Sequence, residues 1–377
     1  MANTLQDGVR GCVIGGAVGD ALGGPVEGLS SAQIRERHGG WLKGFTAVVE
    51  STAGTRMPPL RKGGGRVTDD TLLTVALSNV YIKLRRHLTA YDIADHFVSE
   101  IADKPFFVPD LESENFLAHR FFYAEKYLVL RLRYGNADPR EAGVGNMVNC
   151  GAAIYMAPVG IVNAGDPEGA YREAIEIGGA HQSSYGREAA GVLAAVLAEA
   201  LRPGASVDSV IEAGMGLARD GTRDAIASVV RTARECAGWE ESIPRIRDAV
   251  RPFDTVGDEY RRPGLDARRP SRTHSIEELP VALGMLAATK GEWLGSVLGS
   301  VNYGRDADST ASMAGAIAGA LHGEAAIPRD WAQQVSRSSK LEMVEMADAL
   351  SNVASEIFAS DRRHWEERTG NFPPAIQ

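Results

Sequence analysis

The apolar positions along the chain recur mostly at helical spacing. In Thr71–Leu88 they follow a helical period, and basic residues gather near the end, where they suit the helix dipole. The segment Arg187–Gly204 is rich in Ala and Leu and stops at a Pro-Gly pair. The segments Asp224–Trp239 and Lys340–Ser360 show the same pattern. Small residues fill a fifth predicted helix, Ser309–Gly323, whose neighbours we expect to approach closely.

Patterns typical of strands are scarce. Convincing polar–apolar alternation is rare, and no strand–helix–strand rhythm predicts a parallel sheet. We therefore predict an all-α fold with a single domain that covers residues 1–377. Two parts of it are predicted to be irregular: an Arg- and Pro-rich loop at Arg251–Ser275 and a short tail at residues 368–377.

The composition is that of an ordinary soluble globular protein. The chain has 377 residues, of which 44% are hydrophobic and 24% charged. Its formal net charge of −9 argues against a general nucleic-acid binder, which usually carries a basic footprint. A single basic site for a phosphate-bearing small molecule is compatible with this charge, because local and overall charge can differ.

The cysteines and the N-terminus indicate a cytoplasmic protein. Cys12, Cys150 and Cys236 are far apart and odd in number, so a disulfide framework is not expected. The N-terminus lacks a basic region followed by a sustained apolar core, as a signal peptide would have. No stretch approaches 18 apolar residues, so no membrane span is expected.

Several common catalytic motifs are absent from the sequence. It contains no GxxxxGK[ST] loop, no GxGxxG, no HExxH and no GxSxG nucleophile elbow. The eight histidines are scattered without the spacing of zinc ligands. The usual nucleotide-binding, nucleophile and zinc mechanisms therefore have no local support.

Two predicted helices begin with more carboxylates than a helix cap needs. The segment TDDT (Thr68–Thr71) opens the first, and Asp306 and Asp308 precede the hydroxyls of Ser309 and Thr310 in the second. One such residue satisfies free N–H groups and contributes about 1 kcal/mol, but the second carboxylate has no capping role. Carboxylate and hydroxyl oxygens are ligands for Mg²⁺, Mn²⁺ or Ca²⁺ rather than for zinc. If the two helix starts converge, they can hold a pair of divalent ions; the sequence alone leaves that convergence open.

Four segments, in order, give the chain a recognisable family pattern. They are GCVIGGAVGDALGGPVEG (Gly11–Gly28), TDDT, CGAAIYMAPVG (Cys150–Gly160) followed by AHQSSYGREAA (Ala180–Ala190), and GRDADSTASMAGAIAGALHGEAAIP (Gly304–Pro328). The chain resembles the ADP-ribosylglycohydrolase family, which includes the dinitrogenase-reductase-activating glycohydrolases and the ADP-ribosyl-acceptor hydrolases. The resemblance implies an all-α, compact orthogonal helix bundle with a binuclear Mg²⁺ site in a cleft; Mn²⁺ is an alternative ion. It implies these metal ligands: Thr68, Asp69, Asp70, Asp306, Asp308 and Ser309.

The resemblance also implies roles for residues outside the acidic clusters. Glu27 matches a family glutamate on a mobile loop near the metals; a solvated loop acid is the alternative explanation. Gly151, Ala152 and Ala153 match a small-residue loop that approaches the substrate diphosphate; tight helix packing is the alternative explanation. His181 matches a histidine beside the ribose or diphosphate, and a purely structural histidine is the alternative.

Two departures from the family pattern bear on the substrate. The third segment commonly reads G-A-A-M-R, whereas this chain has Ile154 and Tyr155. Arg305 stands where Gly is frequent. We therefore include Tyr155 and Arg305 among the candidate substrate-binding residues, because losing one arginine and gaining another near the site could change phosphate recognition.

Three functional hypotheses follow. The first is a Mg²⁺-dependent hydrolase that cleaves the bond at C1″ of an ADP-ribosylated acceptor, such as ADP-ribosyl-arginine on a protein. In it Asp70 or Asp308 accepts a proton from the attacking water and Glu27 orients the attack. The second is a hydrolase of a small N-riboside, a nucleoside or another ADP-ribose derivative. The third is a non-catalytic binding or structural relative, which the surplus carboxylates disfavour.

Overall fold

The computed structural model describes residues 4–51, 59–254, 257–258 and 276–370. Within these ranges the chain is mostly helical, and the all-α prediction is confirmed. The α-helices are α1 Leu5–Gly23, α2 Ser31–His38, α3 Asp69–Leu84, α4 Ala90–Asp92, α5 Val98–Asp103, α6 Leu117–Arg120, α7 Tyr123–Val129, α8 Ala157–Val162, α9 Pro167–Gly178, α10 Ser184–Ala200, α11 Val207–Leu217, α12 Asp220–Arg234, α13 Trp239–Val250, α14 Glu278–Ala288, α15 Trp293–Tyr303, α16 Ala307–His322, α17 Arg329–Ser339 and α18 Met343–Thr369.

Short elements connect these helices. Two antiparallel hairpins pair β1 (Val49–Ser51) with β2 (Leu60–Lys62) and β3 (Pro105–Val108) with β4 (Ser113–Phe116). One-turn 3-10 helices cover Gly24–Val26, Cys150–Ala152 and Glu324–Ala326, and π-helical turns cover Ile93–Phe97 and Leu130–Tyr134. Among the described residues, no helix combines the length and the apolar character that crossing a membrane requires.

The five helices predicted from periodicity are present, with ends that local backbone chemistry sets. Helix α3 begins at Asp69, because Thr68 Oγ1 accepts the N–H of Asp70. It ends at Leu84, before the predicted end, because Arg85 adopts a left-handed conformation with φ 52°. Propensity and periodicity locate a helix well, whereas its last turn depends on the capping residue.

The two segments predicted to be irregular are only partly described. Most of the loop at Arg251–Ser275 lies outside the described residues, and so do residues 371–377 of the tail. The prediction is wrong for Arg368 and Thr369, which are the last residues of α18. The helical period of α18 continues beyond the apolar stretch that predicted it, as an exposed helix end.

Helices α1 and α16 pack against each other at backbone contact distance. A Cβ atom added to Gly15 would lie 2.3 Å from the carbonyl oxygen of Gly315, and one added to Gly19 would lie 2.1 Å from that of Ala311. The two helices run antiparallel, so the end of α1 lies beside the start of α16. Close approach thus requires a small residue at every fourth position of α1: Gly11, Gly15, Gly19 and Gly23.

The apolar core surrounds this helix pair. Helix α10 is buried along most of its length, and α14 is buried at every position. Helix α18 packs against α1, and α3, α8, α15 and α17 contact it as well. The prediction that the small-residue helix is buried is confirmed. Rigid, close-packed helices therefore carry the two acidic helix starts.

Candidate active site and metal centre

The starts of α3 and α16 lie together in the folded chain. Helix α3 packs against α16, and the charge of Asp308 is, after burial, the largest influence that raises the pKa of Asp70. Ligand atoms of Glu27, Asp306 and Asp308 lie within 4.8 Å of one another. Three segments of the sequence thus contribute carboxylates to one place, which the sequence alone left open.

Asp20, near the end of α1, holds the start of α3 in place through hydrogen bonds. Its Oδ2 accepts the backbone N–H groups of Thr68 at 3.0 Å and Thr71 at 3.2 Å, and it also accepts the Thr71 hydroxyl. Burial, followed by the charge of Asp308, raises the pKa of Asp20 to about 7. The sequence alone suggested no role for Asp20; the available signal was an acid within the small-residue stretch of α1.

Asp69 faces a buried arginine. Arg120 Nη1 lies 2.7 Å from Asp69 Oδ1, and Arg120 Nη2 lies 2.8 Å from Asp110 Oδ2. Burial raises the pKa of Asp69, while the charges of Arg120 and then Lys62 oppose that increase. Arg120 is fully buried, and no pattern in the sequence predicted it. It holds Asp69 in place and lowers the cost of burying this carboxylate.

Asp70 carries an oxygen that suits a cation. The residue is 4% exposed, and its Oδ2 has no hydrogen-bond partner within the part of the chain that the structure describes. Burial first, then the charges of Asp308 and Asp20, raises its pKa well above the usual range. A buried carboxylate oxygen without a partner is costly unless a cation or a proton joins it.

Lys62 supplies an ammonium group inside the carboxylate cluster. It ends strand β2, is 3% exposed, and pairs with Glu27 Oε2. Its Nζ also lies 3.5 Å from Asp308 Oδ2. Two of the three acids that could hold a metal together therefore share one lysine. No sequence pattern predicted Lys62, because a three-residue strand has too few positions to show a period.

The segment around Glu27 is held at its backbone. The N–H of Gly28 donates to Arg305 O at 2.6 Å, and the N–H of Arg305 donates to Leu29 O at 2.7 Å. Glu27 follows the 3-10 turn Gly24–Val26 at the end of α1. Its position beside Asp306 and Asp308 thus results from the α1–α16 packing and from these two backbone hydrogen bonds. The mobility of this loop stays a prediction.

The small residues of the third segment are packed around internal polar groups. A Cβ atom on Gly151 would lie 2.3 Å from Glu125 Oε1, and the Gly151 N–H donates to Asn149 Oδ1 at 3.0 Å. Ala152 and Ala153 are fully buried. Burial and the charge of Asp69 raise the pKa of Glu125 to about 7. Close packing accounts for the small residues, and their contact with a diphosphate stays a prediction.

Tyr155 and His181 form a buried pair beneath this segment. Tyr155 is 1% exposed, its Oη lies 3.1 Å from His181 Nδ1, and the two rings stack with centroids 5.8 Å apart. Burial lowers the pKa of His181 to about 4, so the imidazole is neutral near pH 7. His181 also lies close to Gly151. The pair therefore supports the segment from inside, and substrate contact by either side chain stays a prediction.

Arg305 belongs to a cluster of ion pairs next to the acidic site. Its Nε donates to Glu277 at 2.8 Å, and its Nη2 donates to Asp254 at 3.3 Å. Its backbone is left-handed, with φ 60°, a conformation that glycine adopts most easily. The guanidinium is thus bound by two carboxylates, and its contact with a substrate phosphate stays a prediction.

The described residues fit a divalent cation. The donors are carboxylates and hydroxyls, which hard cations prefer, and Asp70 offers a buried oxygen without a partner in the described residues. Ser309 lies in the first turn of α16 and is buried at the same place. That the metal ligands are Thr68, Asp69, Asp70, Asp306, Asp308 and Ser309 stays a prediction.

Comparison with known proteins identifies the family. The sequence model of the ADP-ribosylglycohydrolase family matches residues 1–362. The chain belongs to the ADP-ribosylglycohydrolase family. An uncharacterized protein of Archaeoglobus fulgidus is 27% identical over 368 residues, which cover 94% of this chain and 99% of that protein. The ADP-ribosylarginine hydrolase Tri1 of Pseudomonas putida is 24% identical, with 93% and 80% covered. Membership and the name of this relative indicate a glycohydrolase enzyme.

A further relative and a solved structure are also similar to the chain. The uncharacterized protein YegU of Escherichia coli is 22% identical over 348 residues, which cover 91% of this chain and 96% of that protein. A solved structure titled "ADP-ribosylglycohydrolase-related protein complex" is 24% identical, covers 93% of this chain and 99% of its own, and superposes with a TM-score of 0.59. This likeness shows the shared ADP-ribosylglycohydrolase fold.

Proposed function

We propose that the protein is a Mg²⁺-dependent hydrolase that cleaves the C1″ glycosidic bond of an ADP-ribosylated acceptor, such as ADP-ribosyl-arginine on a protein. The observation that carries this proposal is the meeting of Glu27, Asp70 and Asp308 from three separate segments. The name of the Pseudomonas putida relative supports arginine as the acceptor. Because this relative is 24% identical to the chain, arginine as the acceptor is itself part of what we propose.

The two helix starts would hold the metal pair, with Thr68, Asp69 and Asp70 on one side and Asp306, Asp308 and Ser309 on the other. When bound, a pair of divalent ions makes water a nucleophile near neutral pH and orients the substrate. Mn²⁺ has the same ligand preference and is the alternative ion.

The chain's own residues then position the reaction. Asp70 or Asp308 takes the proton of the attacking water. Both carboxylates are buried, and burial together with the charge of Asp308 raises the pKa of Asp70. Glu27 orients the attack, and Lys62 directs the Glu27 carboxylate through their ion pair. Asp20 and Arg120 keep the start of α3 rigid through the contacts described above.

A second candidate function is hydrolysis of a small N-riboside or nucleoside. The observation that favours it is the burial of Tyr155 against His181 at the place where the family commonly has an arginine. The chain therefore offers no cation at that position for a diphosphate. A substrate without a diphosphate would not need one.

An assay with purified protein separates the two candidates. We expect Mg²⁺-dependent release of ADP-ribose from ADP-ribosyl-arginine protein, loss of release with a chelator, and no cleavage in a nucleoside panel. The matched control is Asp348→Asn, which changes an acid on the surface near the start of α18 that pairs with Arg10. Nucleoside cleavage without de-ADP-ribosylation would replace the first candidate with the second.

A further inference from the structure

A thiol and two carboxylates meet beside the acidic site. Ligand atoms of Cys150, Glu278 and Asp306 all lie within 4.8 Å of one another. Cys150 begins the 3-10 turn Cys150–Ala152, Glu278 is the first residue of α14, and Asp306 directly precedes α16. Three elements that are distant in sequence thus bring one sulfur and two carboxylates to the same point.

Glu278 is the residue that indicates a ligand at this point. It is 1% exposed, and in the described parts of the chain neither of its carboxylate oxygens has a hydrogen-bond partner. Its neighbour Glu277, in contrast, accepts the Tyr303 hydroxyl at 2.6 Å and Arg305 Nε at 2.8 Å. An isolated carboxylate in the interior is strongly disfavoured unless a cation or a proton neutralises it. The fold therefore compensates Glu277 with its own groups and leaves Glu278 to something else.

We propose that Cys150, Glu278 and Asp306 form an additional metal position that takes a borderline or soft divalent cation, such as Zn²⁺ or Co²⁺, rather than Mg²⁺. A thiolate ligand selects such ions, whereas sites of oxygen atoms alone suit Mg²⁺. Three protein ligands leave a fourth, open coordination position. On binding, the cation replaces the thiol proton, which is released to solvent.

The observed spacing suits such an ion. Zinc binds sulfur at about 2.3 Å and carboxylate oxygen at about 2.0–2.2 Å, so tetrahedral ligands lie roughly 3.5 Å apart. Cys150 Sγ lies 3.3 Å from Asp306 Oδ2, and a carboxylate oxygen of Glu278 lies within 4.8 Å of the ligand atoms of both. Asp306 also belongs to the group formed with Glu27 and Asp308, so one carboxylate would connect the additional position to the proposed Mg²⁺ centre.

Cobalt titration of chelator-treated full-length protein tests this proposal. We expect a thiolate-to-cobalt charge-transfer band in the near ultraviolet that saturates at one equivalent and disappears when Zn²⁺ is added. Cys150→Ser should abolish the band. Glu278→Gln should weaken cobalt binding at least tenfold, and because it removes a buried charge we expect it to raise the melting temperature of the metal-free protein.

The other two cysteines provide matched controls. Cys12 is buried in α1 and Cys236 is half-buried after α12; replacing either by Ser should leave the band unchanged. A wild-type protein without the band, a band that persists in Cys150→Ser, or unchanged affinity in Glu278→Gln would overturn the proposal. Turnover is not measured, so failure here is distinguishable from failure of the proposed hydrolase activity, which depends on Mg²⁺ and the neighbouring acids.

Discussion

Two neighbouring groups of buried acids differ in the charges that surround them. Asp254 and Glu277 are paired with Arg247 and Arg305 at distances of 2.7–3.3 Å. Asp70, by contrast, shares its surroundings with other carboxylates, and burial and their charges raise its pKa. Where acids only hold the structure together, arginines compensate them. Where the acids lack such compensation, the stability cost indicates a binding or catalytic role.

The largest expected effect is on catalysis and comes from the carboxylate-rich group around Asp70. We expect Asp308→Asn to lower turnover of the proposed substrate by at least ~10³-fold, about 4 kcal/mol of transition-state stabilisation, because it removes a carboxylate common to the metal and proton-transfer roles. The measurement is single-turnover hydrolysis at saturating Mg²⁺. Thermal unfolding of the metal-free variant should show only a small change in stability, because relief of the repulsion with Asp70 offsets the lost ion pair with Lys62. Wild-type turnover would contradict the proposed mechanism.

The same substitution in the compensated group should act on stability instead. Asp254→Asn leaves Arg247 and Arg305 with one carboxylate fewer, and breaking a buried pair in this way costs about 3 kcal/mol. Urea unfolding followed by circular dichroism measures the loss. If Asp254→Asn and Asp308→Asn changed the free energy of unfolding equally, the distinction between the two groups would not hold.

Lys62 partly compensates the carboxylate-rich group, since its ammonium group pairs with Glu27 and Asp308. A metal ion bound by these acids must compete with its ammonium group. A unit charge about 4 Å away contributes about 4 kcal/mol at an effective dielectric constant of 20, so we expect Lys62→Met to tighten Mn²⁺ binding by roughly tenfold or more. Calorimetry of metal-free protein measures this change.

The control for Lys62 is Lys340→Met, since Lys340 is exposed and lies over the Phe107 ring. Its Mn²⁺ affinity should equal that of the wild-type protein. Weaker binding by Lys62→Met would show instead that the ammonium group organises the acids for the metal.

The contrast between the two groups also explains what the sequence could predict. Helices α3 and α16 follow from periodicity and capping, which are local, and the excess of acids at their starts is visible without a structure. Arg120 and Lys62 are not predictable in this way. Each comes from a short element without a period, and each becomes significant only when tertiary packing buries it against an acid. Whether a carboxylate is compensated is a property of packing, which no local pattern contains.

The smallest expected effect concerns Glu173, a compensated acid far from the site. It accepts the Tyr81 hydroxyl at 2.8 Å and lies 2.6 Å from His87 Nδ1. The hydrogen bond to Glu173, opposed by burial and supported by Asp361, raises the pKa of His87 from 6.5 to about 9. The folded-state pKa is thus the higher one, so the stabilisation is complete below pH 6.5 and disappears as the pH rises through 9.

This pH dependence measures how much compensation contributes when water can reach the pair. The His87 side chain is 39% exposed, and solvent screening limits the contribution to about 1 kcal/mol or less. We expect His87→Gln to be less stable than the wild-type protein in urea unfolding at pH 6, and the difference to shrink by pH 10. A difference that stays constant over this range would mean that His87 acts by packing alone, and compensation of acids would then matter only where the partners are fully buried.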